Sequence, residues 1–299
     1  MLLHDGTVKE CRIKGKFRIK GLRSTNPVAV GDVVTVDPEE GTENGLITEI
    51  AERRNYIIRK STNLSKRVHI IAANLDQAVL LVTLAQPQTS TGFIDRFLVT
   101  AESYHIPVTM VFNKVDLYAG DELEQLKAFK ALYSGIGYPC IESSALDGTG
   151  VEAVKDLLKD NITLLAGHSG VGKSTLVNAV EPGLDLATKS ISESTSKGQH
   201  TTTFAEMYGL SFGGKVIDSP GIKGFGLIDE DKSELAHRFP EMRERMSDCK
   251  FSNCQHINEP GCAVLAAVAA GEIAESRYNN YLAMYEEDPS EKYRFKDFG

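Results

Sequence analysis

Two short runs of residues carry the types and spacing needed for nucleotide chemistry. Gly167-His168-Ser169-Gly170-Val171-Gly172-Lys173-Ser174 fits the phosphate-loop pattern G-x-x-x-x-G-K-[ST]. Its glycines let backbone N–H groups close on phosphates, and a helix beginning there adds favourable partial charge. Lys173 is expected to reach the β- and γ-phosphates, the Ser174 hydroxyl to ligate Mg²⁺, and Thr175 beside it to line the nucleotide site. Asn113-Lys114-Val115-Asp116 fits N-K-x-D at the end of an apolar strand. The Asp116 carboxylate would accept hydrogen bonds from guanine N1–H and the exocyclic amine, donors that adenine does not present in that arrangement. Asn113 would hold the loop and the N7 edge of the base, and the Lys114 stem would cover the ring face.

Further matches extend the pattern. Asp218-Ser219-Pro220-Gly221 fits D-x-x-G, with Asp218 on Mg²⁺ directly or through water and the Gly221 N–H sensing the γ-phosphate. Thr201-Thr202-Thr203 closes a Ser/Thr-rich stretch and offers a hydroxyl to Mg²⁺. Thr201 is the first choice and Thr202 the second, with a polar loop end as the plain alternative. Ser143-Ser144-Ala145 resembles the element that touches guanine O6, through Ser144 and Ala145. Ile222 stands near where Ras-type enzymes place a water-orienting Gln, and Ile cannot orient water. Slow intrinsic hydrolysis is expected unless another residue positions the water. His200 is the candidate, and an exposed loop histidine is the competing reading.

The order of these motifs is unusual. The base motif precedes the phosphate loop, whereas ordinary GTPases read phosphate loop, switches, base motif. Joining the old termini and cutting after the D-x-x-G element produces this order. Termini of compact domains often lie close together, so such a circular permutation is physically inexpensive.

Cys249, Cys254, His256 and Cys262 supply three thiolates and one imidazole at metal-ligand spacing. Four such ligands close a tetrahedral Zn²⁺ site with no open position, so one structural ion is expected. Cys11 and Cys140 fall in strand-like runs and read as core thiols.

The elements that must position these residues fall into three expected units: residues 1–70, 71–230 and 231–299. The first reads as short strands at 6–13, 15–21, 32–37 and 45–51, punctuated by Gly, Pro and Asn. An OB-type barrel is expected, and an SH3-like barrel fits the same pattern. The second reads as alternating strands (77–85, 107–112, 139–142, 162–166, 204–210, 215–218) and helices (93–104, 122–133, 151–159, 172–180). Repeated βα units predict a mostly parallel sheet with ligands at the carboxyl ends of the strands. Residues 182–203 lack periodicity and read as a mobile functional loop. The third unit has helix candidates at 233–246 and 263–271 flanking the Cys/His cluster.

Composition sets bounds. The chain has 299 residues, 41% hydrophobic and 25% charged, with a net charge of −8. No apolar run approaches a membrane span, and residues 1–5 lack a signal-peptide core, so a cytoplasmic, membrane-free protein is expected. Nothing demands more than a monomer. Overall acidity argues against nucleic acid, but residues 1–70 carry 13 Lys and Arg against 9 Asp and Glu. Lys9, Arg12, Lys14, Lys16, Arg18, Lys20 and Arg23 supply a local basic face suited to a phosphate backbone or to plain solvation.

Over nearly its whole length the chain resembles the ribosome small-subunit-dependent GTPase A family, RsgA, also called YjeQ. The matching residues are Asn113–Asp116, Gly167–Ser174, Gln199–Thr203, Asp218–Gly221 and the cluster Cys249, Cys254, His256 and Cys262. The resemblance implies an OB barrel, a permuted P-loop α/β GTPase domain and a C-terminal helical zinc domain. It implies a factor in late maturation of the small ribosomal subunit, bound to its rRNA in the GTP state and released on hydrolysis to GDP. Hydrolysis stimulated by the subunit, and His200 as the catalytic residue, follow from the same resemblance. Two rival readings are a nucleotide-gated RNA-binding module and a P-loop enzyme acting on another substrate, with ATP as one option.

Overall fold

The computed structural model describes residues 1, 3, 7–13, 27–39, 41–60, 68–184, 186, 205–218 and 232–287. The expected strand at 15–21, most of the basic segment, His200, Thr201 and Gly221 lie outside them.

A six-stranded sheet dominates. Its strands are β6 (Gln77–Val82), β7 (Val108–Asn113), β8 (Cys140–Ser143), β9 (Ile162–Ala166), β10 (Glu206–Gly209) and β11 (Lys215–Asp218), in the order β10-β11-β9-β6-β7-β8. All neighbours are parallel except β10 and β11. The central strands are continuous apolar runs because both faces are covered, as in doubly wound sheets. On β6, Ala78, Leu80 and Val82 face one core with α1 (Thr91–Ser103) and α2 (Asp121–Gly135). Val79 and Leu81 face the other with α3 (Val151–Leu158) and α4 (Lys173–Val180). Parallel registry brings Asn113 beside Ser143 and Asp218 beside Leu165, so these strands end along one rim of the sheet.

The N-terminal strands are β1 (Cys11–Ile13), β2 (Val34–Pro38), β3 (Gly45–Ile50), β4 (Tyr56–Lys60) and β5 (Val68–Ala73). They form a sheet ordered β1-β3-β2 and a β4-β5 pair, linked by an isolated Val30–Ala72 bridge. β4 and β5 are additions to the sequence reading, and β5 runs across residue 70. A left-handed Gly31 (φ +92°) makes this junction possible, because a Cβ there would lie 2.0 Å from the Ala73 carbonyl oxygen. Hydrogen bonds then tie the junction to the main sheet. Asn55 and Leu75 exchange two, and Asp76 accepts from the Ile162 amide and from Arg54.

The expected helix at 233–246 is instead a 3-10 segment (Lys232–Arg238), a short α5 (Pro240–Arg243) and a further turn (Met246–Asp248). Pro240 has no N–H to donate and therefore starts a helix rather than continuing one. α6 (Ala263–Ala269) matches its expectation, and α7 (Glu275–Glu286) is an addition. This unit packs on α1. Val99 sits in its core, and fully buried Arg277 of α7 bonds Asp95 of α1 at 2.7 Å and Glu241 of α5 at 2.7 Å. Tyr133 and Asn280 also donate to Asp95, so the buried charges are paired and hydrogen-bonded. Removing one member would cost about 3–5 kcal/mol. No helix of the described residues is long and apolar enough to cross a membrane.

Candidate nucleotide site and metal centre

The phosphate loop leaves β9 through Gly167 and enters α4 through Gly172. Both glycines are required. Gly167 (φ +144°) leaves a Cβ position 2.7 Å from the Leu81 carbonyl oxygen, and Gly172 (φ +92°) one 2.6 Å from Asn113 Nδ2. That close approach allows Asn113 to donate from Nδ2 to the Val171 carbonyl at 2.8 Å. Asn113 Oδ1 accepts from the Ser143 hydroxyl at 2.9 Å. One buried side chain therefore spans the N-K-x-D loop, the phosphate loop and the Ser143-Ser144-Ala145 turn. Ser144 is buried, and its Oγ accepts from the Leu146 amide; Ala145 is half-buried.

The base loop is a left-handed turn at Lys114 (φ 63°), followed by one 3-10 turn, Val115–Leu117. Lys114 Nζ donates to the Gln86 carbonyl at 2.6 Å, and Asp116 is exposed. On the phosphate side, Lys173 Nζ donates to the carbonyls of Gly167 (2.7 Å) and His168 (3.1 Å). Burial pulls the Lys173 amine down from its ordinary value, opposed by the charge of Asp218. Burial pushes the Asp218 carboxyl up, again opposed by Lys173. Asp218 Oδ1 is buried without a hydrogen-bond partner. A carboxylate oxygen of this kind beside a phosphate loop fits a divalent cation. Ser174 is half-buried at the first turn of α4, while Ser169 and Thr175 are exposed. The His168 ring stacks on Phe93 of α1, centroids 3.7 Å apart.

Two contributors were not found by sequence reading. Phe93 reads in the sequence only as the start of the helix expected at 93–104. Tyr118, two residues beyond the base motif, is buried, and its hydroxyl donates to the Asn113 carbonyl at 2.7 Å. An aromatic hydroxyl in an apolar setting was the available signal, since buried Tyr usually finds a polar partner.

The metal-ligand reading of the second cluster is compatible with its geometry. Ligand atoms of Cys249, Cys254, His256 and Cys262 all lie within 4.8 Å of one another. His256 Nδ1 lies 3.6 Å from Cys249 Sγ and 3.4 Å from Cys262 Sγ, edge lengths suited to a tetrahedron with bonds of about 2.0–2.3 Å. Burial pushes the Cys254 thiol up to about 12, and a divalent cation would hold such sulfurs as thiolates. Glu259 accepts from the amides of Gln255, Ile257 and Asn258 and so shapes the loop around His256. Cys11 and Cys140 lie in strands but are half-buried rather than fully enclosed.

Comparison with known proteins bears on this arrangement. Residues 50–228 match the family described as RsgA GTPase, and residues 2–47 match the RsgA N-terminal domain. The small ribosomal subunit biogenesis GTPase RsgA of Christiangramia forsetii is 58% identical over 284 residues, covering 94% of this chain and 90% of that one. Its namesake from Bacteroides fragilis is 55% identical over 291 residues, covering 97% and 93%. Among solved structures, YjeQ from Thermotoga maritima aligns with a TM-score of 0.75 at 40% identity over 94% of this chain and 90% of its own. YloQ, a circularly permuted GTPase, aligns at 0.70 and 32% identity over 94% and 86%. With its base loop clamped to a phosphate loop that follows it in sequence, this chain belongs to the RsgA GTPase family.

Proposed function

We propose that this chain hydrolyses GTP to GDP and phosphate in the maturation of the small ribosomal subunit, binding subunit rRNA with GTP bound and leaving after hydrolysis. The observation that carries the reading is the Asn113 side chain bonded to Val171 and Ser143, which welds a guanine-type loop to a phosphate loop. The relatives' printed name, small ribosomal subunit biogenesis GTPase, supports the biological setting.

In this reading Asp116 accepts from guanine N1–H and its amine, Lys114 covers the ring, and Ser144 and Ala145 line the O6 edge. The backbone of Gly167–Gly172 cradles the phosphates, Lys173 draws charge off the β- and γ-phosphates, and Gly221 senses the γ-phosphate. Ser174, Asp218 and Thr201 would hold Mg²⁺, which supplies charge neutralisation across the phosphate oxygens. His200 positions the attacking water in place of the absent Gln. The cluster Cys249, Cys254, His256 and Cys262 holds one structural Zn²⁺. The N-terminal strands act as an OB-type rRNA-binding barrel. Because the D-x-x-G element leads in sequence into the C-terminal unit, loss of the γ-phosphate repositions that unit on the subunit.

The test is GTP hydrolysis with and without small ribosomal subunits, with ATP and large subunits as controls. Stimulation confined to GTP and small subunits is expected. Tight guanine-nucleotide binding with no stimulation would replace this reading with a nucleotide-gated RNA-binding module.

A further inference from the structure

The base loop stands on a support that none of its motif residues supplies. Lys114 holds a left-handed backbone (φ 63°), a conformation that a side-chain-bearing residue keeps only when its surroundings enforce it. Two contacts from outside the motif do so, and both lead to the loop between β6 and α1. Lys114 Nζ donates to the Gln86 carbonyl at 2.6 Å. The Tyr118 hydroxyl donates to the Asn113 carbonyl at 2.7 Å and accepts from the Leu84 amide at 2.9 Å. Thr83 and Thr89 brace that same loop, each bonding the other's segment through a backbone amide. The Tyr118 ring lies in the main core with Leu84 and Phe112.

We propose that Tyr118 is a positioning residue for guanine selection: its hydroxyl fixes the start of the base loop to the loop after β6 and thereby aims Asp116 at the base. The proposal rests on the reading of Asp116 as the guanine-binding group. Without the hydroxyl, the Leu84 N–H and the Asn113 C=O both lose a partner in a buried setting, and the turn that carries Asp116 loosens. A loosened Asp116 forfeits discrimination, because rejection of an analogue lacking one hydrogen-bonding group depends on a rigidly placed partner. The phosphate side has anchors of its own in Gly167 against Leu81 and in Lys173 on the Gly167 and His168 carbonyls, so chemistry on bound nucleotide should be spared. Burial pushes the Tyr118 phenol up, keeping it a donor across the working pH range.

The experiment uses the full chain with Tyr118→Phe, which keeps the ring and its core contacts. GDP affinity is expected to fall about 10-fold and KM for GTP to rise similarly, with kcat held within about two-fold. Preference for GTP over ITP, which lacks the exocyclic amine, should shrink by about the same factor. A role confined to core packing would lower the melting temperature and leave the GTP/ITP ratio unchanged, and that result overturns the proposal. Asp116→Asn run in parallel separates the two claims. If it fails to gain xanthosine diphosphate binding, the base reading itself is wrong and Tyr118 falls with it. If it gains that binding while Tyr118→Phe changes nothing, only the Tyr118 role is lost.

Discussion

The network behind the base loop and the phosphate-loop side are built on different electrostatic principles. The network is neutral and satisfied: Asn113, Ser143, Tyr118 and the Val171 and Leu84 backbone groups pair with one another at 2.7–2.9 Å, and the loop's charges, Lys114 and Asp116, lie outside it. The phosphate-facing half concentrates charge that burial opposes. Lys173 is pulled down, Asp218 is pushed up, and Asp218 Oδ1 has no hydrogen-bond partner. A neutral, closed network holds its geometry without a ligand, so on the proposed reading it would present the base loop without reorganising. Opposed charges respond strongly when a phosphate and its cation arrive, so sensitivity to nucleotide state belongs on that side.

The largest expected effect breaks the charged half alone. Lys173→Ala should slow single-turnover GTP hydrolysis by about 10²–10³-fold, a typical loss for a group that stabilises developing charge. The GTP/ITP preference should survive, and its collapse would show that the halves are not separable.

Asp218→Asn comes next. Its loss should abolish the Mg²⁺-dependent gain in GTP affinity, worth about 10–100-fold, by titration calorimetry. The native carboxyl adds a pH signature. Its folded pKa lies above the ordinary 3.8, so its contribution to ligand-free stability is present below that value and is lost as pH rises through the folded pKa. Mg²⁺ takes the ionised form, so its affinity should weaken as pH falls into the same window. In Asp218→Asn both dependences should disappear.

Asn113→Ala sharpens the contrast from the neutral side. The Val171 carbonyl and Ser143 hydroxyl lose their partner, so thermal unfolding of the ligand-free protein should show a loss of about 1–3 kcal/mol. A variant that kept its stability and lost only nucleotide affinity would contradict the structural role given to this side chain. Phe93→Leu should have the smallest effect. It removes the stack on His168, worth about 0.5–1.5 kcal/mol, and should raise the GDP off-rate a few-fold while leaving base preference intact.

Legibility in the sequence followed the physics of each element. The strands and helices around the cleft were readable because β6, β7 and β9 are continuous apolar runs punctuated by Gly, Pro and Asn. α7 was missed because Arg277 on its buried face, with half-buried Asn280 beside it, interrupts the pattern of Tyr278, Tyr281 and Met284. Asp95, the partner of Arg277 and Asn280, lies more than 180 residues earlier, beyond any local pattern. Residues 233–246 read as one helix because periodicity continues through Pro240, although the missing N–H at that residue forces a break. β4 and β5 are short, and the main-chain pairing that defines them is non-local.

Sequence by itself determined the chemistry on offer: the phosphate loop, the guanine-type loop, the inverted order of the two, and the Cys/His ligand set. Those are properties of residue type and spacing. Tertiary structure alone decided that Asn113 reaches Val171 across 58 residues, that Tyr118 braces the base loop, and that Arg277 binds the C-terminal unit to α1. The reason is that a buried polar group must find a partner wherever the fold supplies one, and that partner has no fixed distance along the chain.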